Sequence, residues 1–291
     1  MRNKTFPSFA PVRGLLVVGR HPAAMDKQAV REAVWDAFEA GDQARFPFPP
    51  HDRIPNFAGA DAACERLAET PEWADAQTLK CNPDAPQLPV RRAALRAGKT
   101  VYVAQPRLRD PNPFLRLDPG ELADHDAADA TGDRPTIDDA TTVSGISTHG
   151  TPVAPEAVSR VDLVVAGSVA VTTEGARIGK GEGYSDLEWG VLSELGAVDS
   201  ETTVATTVHE LSVIDGPASA LADGGDGDDN TELSLPAPDA HDVPLDLIVT
   251  PERTIRTETP FERPSGIDWD ALDAERLDEI PVLAERAPKR K

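Results

Sequence analysis

Cysteine, lysine, aromatic residues and long apolar runs are all scarce in this chain, and each scarcity excludes something. The two cysteines, Cys64 and Cys81, form no CxxC pair, and no histidine stands at ligand spacing from either. A metal site or a disulfide is therefore set aside in favour of two small buried apolar side chains. No window approaches the roughly 18 consecutive apolar residues that a membrane-spanning helix needs. The first apolar run, 14–19, is too short for a secretion signal and lacks a small-residue cleavage site. A cytoplasmic protein without a membrane segment is the expectation. Aromatics make up only 5%, but 40% apolar residues over 291 positions suffice for a substantial core, as one large domain or two small ones.

Lysine occurs 7 times, against 22 arginines, 30 aspartates and 20 glutamates, and the formal net charge is −21. Such a surface repels nucleic acid and anionic membranes, so neither is expected as a partner. An acidic interaction tail would cluster the charge. Here it is spread, Asp exceeds Glu and Lys is rare, a pattern that reads as adaptation to high intracellular salt (a halophilic protein). At molar salt the Debye length of about 3 Å removes the self-repulsion of such a surface.

What is present is an alternation of helices and strands. Residues 1–24 read as an extension with a short strand at 15–18. Asp26 caps a helix on which Val30, Val34, Trp35 and Phe38 share one face, and Gly41 ends it. Residues 46–50 and the turn around Asn56 and Gly59 are irregular. A helical pattern runs from 60 to 76 with a break near Pro71. Then 78–81 (strand), 82–87 (loop), 90–97 (helix) and 100–104 (strand) make a unit of βαβ size. Residues 118–140 and 221–240 read as loop insertions, the latter containing an acid run at 223–230. Strands are expected at 161–166, 203–208 and 245–250, the last taken as the final strand, with a helix at 187–195 between the first two. The segment 259–291 is Pro-rich and charged, carries a weakly amphipathic stretch at 269–280, and is expected to be peripheral. The domain proper is thus 25–258. The fold class expected is α/β, a mostly parallel sheet with helices on both faces, with ligands beyond the carboxyl ends of the strands.

The run Arg177-Ile-Gly179-Lys180-Gly181-Glu182-Gly183-Tyr184-Ser-Asp186 carries the chemistry. Three glycines at alternate positions let backbone N–H groups approach an anion, and a helix opens directly after them. Arg177 and Lys180 add positive charge in a strongly acidic chain. Asp186 could hold a divalent metal that bridges phosphates. A plain structural turn is the competing reading, since the spacing is neither GxGxxG nor GxxxxGK[ST]. Elsewhere, His209 closes a strand and could face a ligand or be a satisfied surface histidine. Asn82 and Gln87 could donate to a heterocycle's edge or only shape their loop. Trp35 and Trp73 belong to the core.

Arg-x-Gly-x-Gly-x-Gly-Tyr-x-Asp, here Arg177, Gly179, Gly181, Gly183, Tyr184 and Asp186, resembles the signature of 5-formyltetrahydrofolate cyclo-ligases. Lys27-x-x-x-Arg31, the 78–104 unit, Asp162-Leu-Val-Val, Asp242-x-Pro and Asp246-x-Ile-Val-Thr250 resemble further family segments, over about residues 26–255. Arg53-Ile-Pro-Asn-Phe57, Asn82-Pro-Asp-Ala-Pro-Gln87, Pro106-Arg-Leu108 and Gly167-Ser-Val-Ala-Val171 resemble the methenyltetrahydrofolate synthetase domain-containing branch. The resemblance implies a Rossmann-like three-layer fold of the CoA-transferase-like kind. It implies a monomer taking ATP, Mg²⁺ and a small-molecule folate, and converting 5-formyltetrahydrofolate to 5,10-methenyltetrahydrofolate through a phosphorylated formyl group. It places ATP on Lys27, Arg31, Arg177, Gly179, Lys180, Gly181, Glu182, Gly183 and Tyr184, and Mg²⁺ on Asp186. Tyr184 and Asp186 would be catalytic, and Asp84, Gln87 and His209 would meet the substrate. Departures are Ser185 for a second Tyr, Asp84 for a Glu, and Ser212 for a Gln. They motivate the alternative of a nucleotide-binding protein of the same fold that is non-catalytic or acts on another substrate.

Overall fold

A computed structural model describes residues 26–123, 134–214 and 235–288. The expected extension 1–24 with its strand, and the acid run 223–230, lie outside the described residues. The chain opens with α1 (Lys27–Ala40), capped by the Asp26 carboxylate, which accepts from the amides of Gln28 and Ala29. After α2 (Ala60–Ala68) and a short helix (Pro71–Asp75) comes the expected unit, β1 (Thr78–Cys81), α3 (Leu88–Arg96) and β2 (Thr100–Ala104). The strands β3 (Phe114–Leu117) and β4 (Thr151–Val153) follow, with α4 (Val143–His149) between them. Then come β5 (Leu163–Val165), α5 (Tyr184–Glu194), β6 (Thr203–Thr207), β7 (Leu247–Val249) and β8 (Thr254–Arg256). Two short helices, α6 (Ala274–Glu279) and α7 (Pro281–Arg286), close the described chain.

The eight strands form one sheet in the order β8-β7-β6-β5-β1-β2-β3-β4. The five from β7 to β2 are parallel, and the outer pairings are antiparallel. The α/β class with a mostly parallel sheet is as the alternation of elements requires. The central strands are largely apolar because both faces are covered, with Lys80 on β1 and the threonines of β6 as polar exceptions. Alternate residues separate cleanly: Leu79, Leu163, Val165, Ala205, Leu247 and Val249 join Leu67, Val90 and Ala94 of α2 and α3 on one side. Val164, Val204 and Ile248 join Trp189 and Leu192 of α5 on the other. A third cluster packs α1, through Val30, Val34, Trp35 and Phe38, against Ile54, Phe57, Val169 and Ile178.

Three outer strands, β3, β4 and β8, escaped the sequence reading. β3 and β4 are short, and β4 contains Pro152, which an edge strand tolerates because one row of its N–H groups faces no neighbour. The strand at Leu247–Val249 is not the last one, since β8 folds back antiparallel onto it. Nor is the segment after residue 259 peripheral. Ile280, Val282 and Leu283 are buried in the second core cluster. Arg263 pairs with Asp246 at 2.6 Å, and the Trp189 indole donates to the Pro264 carbonyl at 2.8 Å. A few apolar side chains in a charged stretch give little periodic signal, but the slot beside α5 accepts them all.

Candidate functional site

Beyond the carboxyl ends of β1, β2 and β5 lies a cleft of about 670 Å³, where parallel sheets present ligand sites. Its floor and walls come from the loop after β1 (Asn82–Asp84), the loop after β2 (Gln105–Arg107), Gly167 after β5 and the glycine run 179–183. The glycine run leads into α5, with Gly183 as its N-cap at φ +70°. Gly181 lies at φ +104°, and a Cβ there would meet the Arg31 guanidinium carbon at 3.3 Å. Both the conformation and the close approach require glycine at 181.

Among the described residues, no protein acceptor takes the amide hydrogens of Lys180, Gly181, Glu182 or Gly183. Four such amides at the start of an eleven-residue helix are what an anion-binding loop offers. The Lys180 ammonium lies 2.9 Å from Glu182 and 3.8 Å from Asp84. Partial burial pulls this ammonium down, but Asp84 and Glu182 together hold it above its ordinary value. Arg31, one turn along α1 from Lys27, donates through Nε to the Gly179 carbonyl at 2.8 Å and so holds the loop from behind.

Other residues are placed differently from the expectation. Arg177 is buried, and its guanidinium is taken by Asp186 and by the Gly167 carbonyl at 3.1 Å. It anchors the loop rather than projecting into solvent. Asp186 Oδ1 also accepts from the Val243 amide at 3.1 Å, and its second oxygen accepts no hydrogen bond among the described residues. Lys27 is committed to Asp242 at 2.5 Å and Asp239 at 2.8 Å, and does not line the cleft. Tyr184 lies at the cleft edge with its ring under the Arg276 guanidinium.

Asp84 faces Lys180 across the cleft. Burial pushes its carboxyl up, with Lys180 and Arg91 opposing. Gln87 is turned inward: its Oε1 accepts from the Asn82 amide at 2.7 Å, so it shapes its loop, and it does not line the cleft. Asn82 Oδ1 in turn accepts from the Gly167 amide at 3.0 Å. His209 is also apart from the cleft. Its Nδ1 accepts from the Leu211 amide at 3.2 Å, and its ring sits edge-on to Phe38 and Phe57. The cysteines are buried and free, and burial pushes their thiols up to about 12 (Cys64) and about 11 (Cys81), which makes both inert at neutral pH.

Sequence reasoning missed three buried charged groups, Arg91, Lys80 and Glu188. Arg91 is fully buried. It donates to the carbonyls of Asn82 (2.6 Å), Asp84 (3.1 Å) and Thr141 (3.0 Å), which fixes the loop that carries Asp84. Lys80 on β1 pairs with Glu188 on α5, both buried. Burial holds the Glu188 carboxyl above its ordinary range against the pull of Lys80. The signal was available: a lysine inside a strand covered on both faces must find a carboxylate. Which one, only the packing of α5 on the sheet decides.

Among the described residues, no helix is long and apolar enough to cross a membrane. The chain is 39% identical to a bovine methenyltetrahydrofolate synthase domain-containing protein over 261 residues, 90% of this chain and 62% of that protein. The human protein of that name is 36% identical over 259 residues, 89% of this chain and 61% of the relative. The chain therefore spans about three fifths of the length of these relatives. A solved structure, the NMR structure of 5,10-methenyltetrahydrofolate synthetase from Aquifex aeolicus, aligns with a TM-score of 0.44 at 16% identity, covering 82% of this chain and 96% of that one. The 5-formyltetrahydrofolate cyclo-ligase family model matches residues 26–218, a stretch that includes the cleft loops, Asp84, the glycine run and α5. With the family model covering well over half of the residues, this chain belongs to the 5-formyltetrahydrofolate cyclo-ligase family.

Proposed function

We propose that the chain is an ATP-dependent 5-formyltetrahydrofolate cyclo-ligase, with the nucleotide phosphates on the glycine loop and the folate in the adjoining cleft. The observation that carries this reading is the row of four amides from Lys180 to Gly183 that no acceptor takes among the described residues, on a loop that lines a cleft of about 670 Å³ together with the Lys180 side chain. Family membership supports the choice of substrate.

In this reading the loop amides and Lys180 hold phosphate oxygens at the helix N-terminus. Gly179, Gly181 and Gly183 keep the backbone close to them, and Arg31 fixes the loop through the Gly179 carbonyl. Arg177 holds Asp186, whose second oxygen, which accepts no hydrogen bond among the described residues, would join Mg²⁺. A single carboxylate oxygen together with nucleotide phosphates is the ligand set Mg²⁺ commonly takes, and when bound it would neutralise charge developing on the phosphates. Asp84, on the opposite wall, is positioned for the pterin N–H groups. Tyr184 closes the edge. The chemistry is transfer of the γ-phosphoryl group of ATP to the formyl oxygen with departure of ADP, attack of the second folate nitrogen on the formyl carbon, and release of phosphate carrying the former formyl oxygen, with loss of that nitrogen's proton. The chain's part is positioning and charge neutralisation.

Purified protein mixed with 5-formyltetrahydrofolate, ATP and Mg²⁺ should develop the near-ultraviolet absorbance of methenyltetrahydrofolate, and should not do so without ATP. Protein that binds ATP calorimetrically but yields no absorbance would move the reading to a non-catalytic nucleotide binder. Protein that binds no ATP would end it.

A further inference from the structure

Besides the anchor Arg177, two guanidiniums take carbonyls of the glycine loop itself, and one of them comes from outside the family-matched residues 26–218. Arg31 takes the Gly179 carbonyl at 2.8 Å. Arg276, from α6 in the C-terminal segment, takes the Glu182 carbonyl. The same guanidinium lies 4.5 Å from the Tyr184 ring centroid and donates to the Tyr184 hydroxyl at 3.4 Å. Arg276 is itself fixed. Its amide donates to the Asp273 carboxylate at 2.7 Å, and α6 runs straight into the buried Ile280, Val282 and Leu283.

The direction of these contacts matters. In a planar trans peptide the C=O and the following N–H point opposite ways. Holding the Gly179 carbonyl toward Arg31 therefore turns the Lys180 N–H away from Arg31. Holding the Glu182 carbonyl toward Arg276 does the same for the Gly183 N–H. These are the two ends of the open amide row. A segment with glycine at every second position has more backbone freedom than any other and loses more entropy on being ordered. A loop ordered in advance spares an incoming anion that loss.

We propose that Arg276 is a positioning residue for the glycine loop, setting the Glu182–Gly183 peptide and the Tyr184 ring so that the loop is ready for phosphate. This makes the C-terminal segment a working part of the nucleotide site, and it rests on the nucleotide reading above only for the identity of the anion. The consequence for Arg276→Ala is a looser loop in the free protein and weaker ATP binding at the loop, with the fold intact, because Arg276 is surface-side and Ile280, Val282 and Leu283 keep the segment docked.

Two measurements on the full chain test it. In the free protein, trypsin cleavage after Lys180, followed by mass spectrometry, should be several-fold faster in Arg276→Ala than in wild type, at unchanged melting temperature. Cleavage that tracks the open population reports such loosening directly. Calorimetric titration with Mg²⁺ and ATP should show about tenfold weaker binding in Arg276→Ala, the loss of roughly one charge-assisted hydrogen bond. Arg276→Lys, which keeps the charge but not the flat fork, should recover part of both. Unchanged cleavage after Lys180 in Arg276→Ala overturns the proposal, whatever ATP does. Faster cleavage with no ATP binding even in wild type leaves the positioning role standing and removes the nucleotide reading instead. Faster cleavage with ATP affinity equal to wild type overturns the link between loop order and the nucleotide.

Discussion

Replacing Arg177 with alanine separates an anchor from a ligand contact. From the sequence alone, Arg177 and Lys180 look equivalent, two cations flanking a glycine run, and either replacement should spare the fold. The structure makes them different. Only 4% of the Arg177 side chain is exposed. Its guanidinium serves the Asp186 carboxylate and the Gly167 carbonyl, while among the described residues Asp186 keeps just the Val243 amide as another donor. Arg177→Ala leaves a carboxylate with 12% exposure and a buried carbonyl short of partners. Breaking a buried pair from one side costs about 3–5 kcal/mol, and the residual exposure of Asp186 points to the lower end, about 3 kcal/mol. For a chain of this size that lowers the melting temperature by roughly 6–12 °C. Lys180→Ala, by contrast, removes a side chain that is 33% exposed. It should change stability by under about 1 kcal/mol while weakening ATP binding about tenfold or more. Urea unfolding of both variants measures the difference. A double-mutant cycle of Arg177→Ala with Asp186→Asn should return a coupling of more than about 1 kcal/mol. If Arg177→Ala unfolds within about 0.5 kcal/mol of wild type at the same m-value, the anchoring argument is wrong and Arg177 belongs to the ligand.

Three further outcomes are expected. His209 is pushed below its ordinary pKa, chiefly by burial, so the folded state favours the neutral ring; its contribution is complete above pH of about 6.5 and is lost as pH falls through the lower folded pKa. Unfolding free energy measured from pH 7 to 5 should decline, and His209→Gln should flatten that decline; an unchanged slope would count against it. Truncation after Glu258 removes Ile280, Val282 and Leu283 from the second core cluster along with the Arg263–Asp246 pair, so the product should be insoluble or lack a cooperative melt, and a cooperatively folding product would contradict this. With a net charge of −21, the melting temperature should rise from low to molar KCl as self-repulsion is screened; a flat or falling curve would remove the salt-adaptation reading.

The sequence by itself determined the covered central sheet and the nature of the glycine loop. Unbroken apolar strands such as Leu163–Val165 are buried on both faces, and glycines at 179, 181 and 183 before a helix mark a tight turn, whether or not a ligand approaches it. These signals are local, carried by period and by backbone freedom, so they survive without neighbours. The roles of the charged residues were not local. Lys27 and Arg31 stand one turn apart on the same helix, yet one is bound by Asp239 and Asp242 and the other by the Gly179 carbonyl. Lys80 and Glu188 meet only because α5 packs on the sheet face to which Val164, Val204 and Ile248 belong. Gln87 and His209 turned inward because their own loops offered closer partners than the cleft did. The segment after 259 gave too few apolar positions to show a period, and its burial follows from a slot whose walls are built by residues nearly a hundred positions earlier. A charge or an isolated apolar group takes its energy from whatever lies within a few ångströms, and which groups those are is decided by the chain crossings that only the tertiary fold makes.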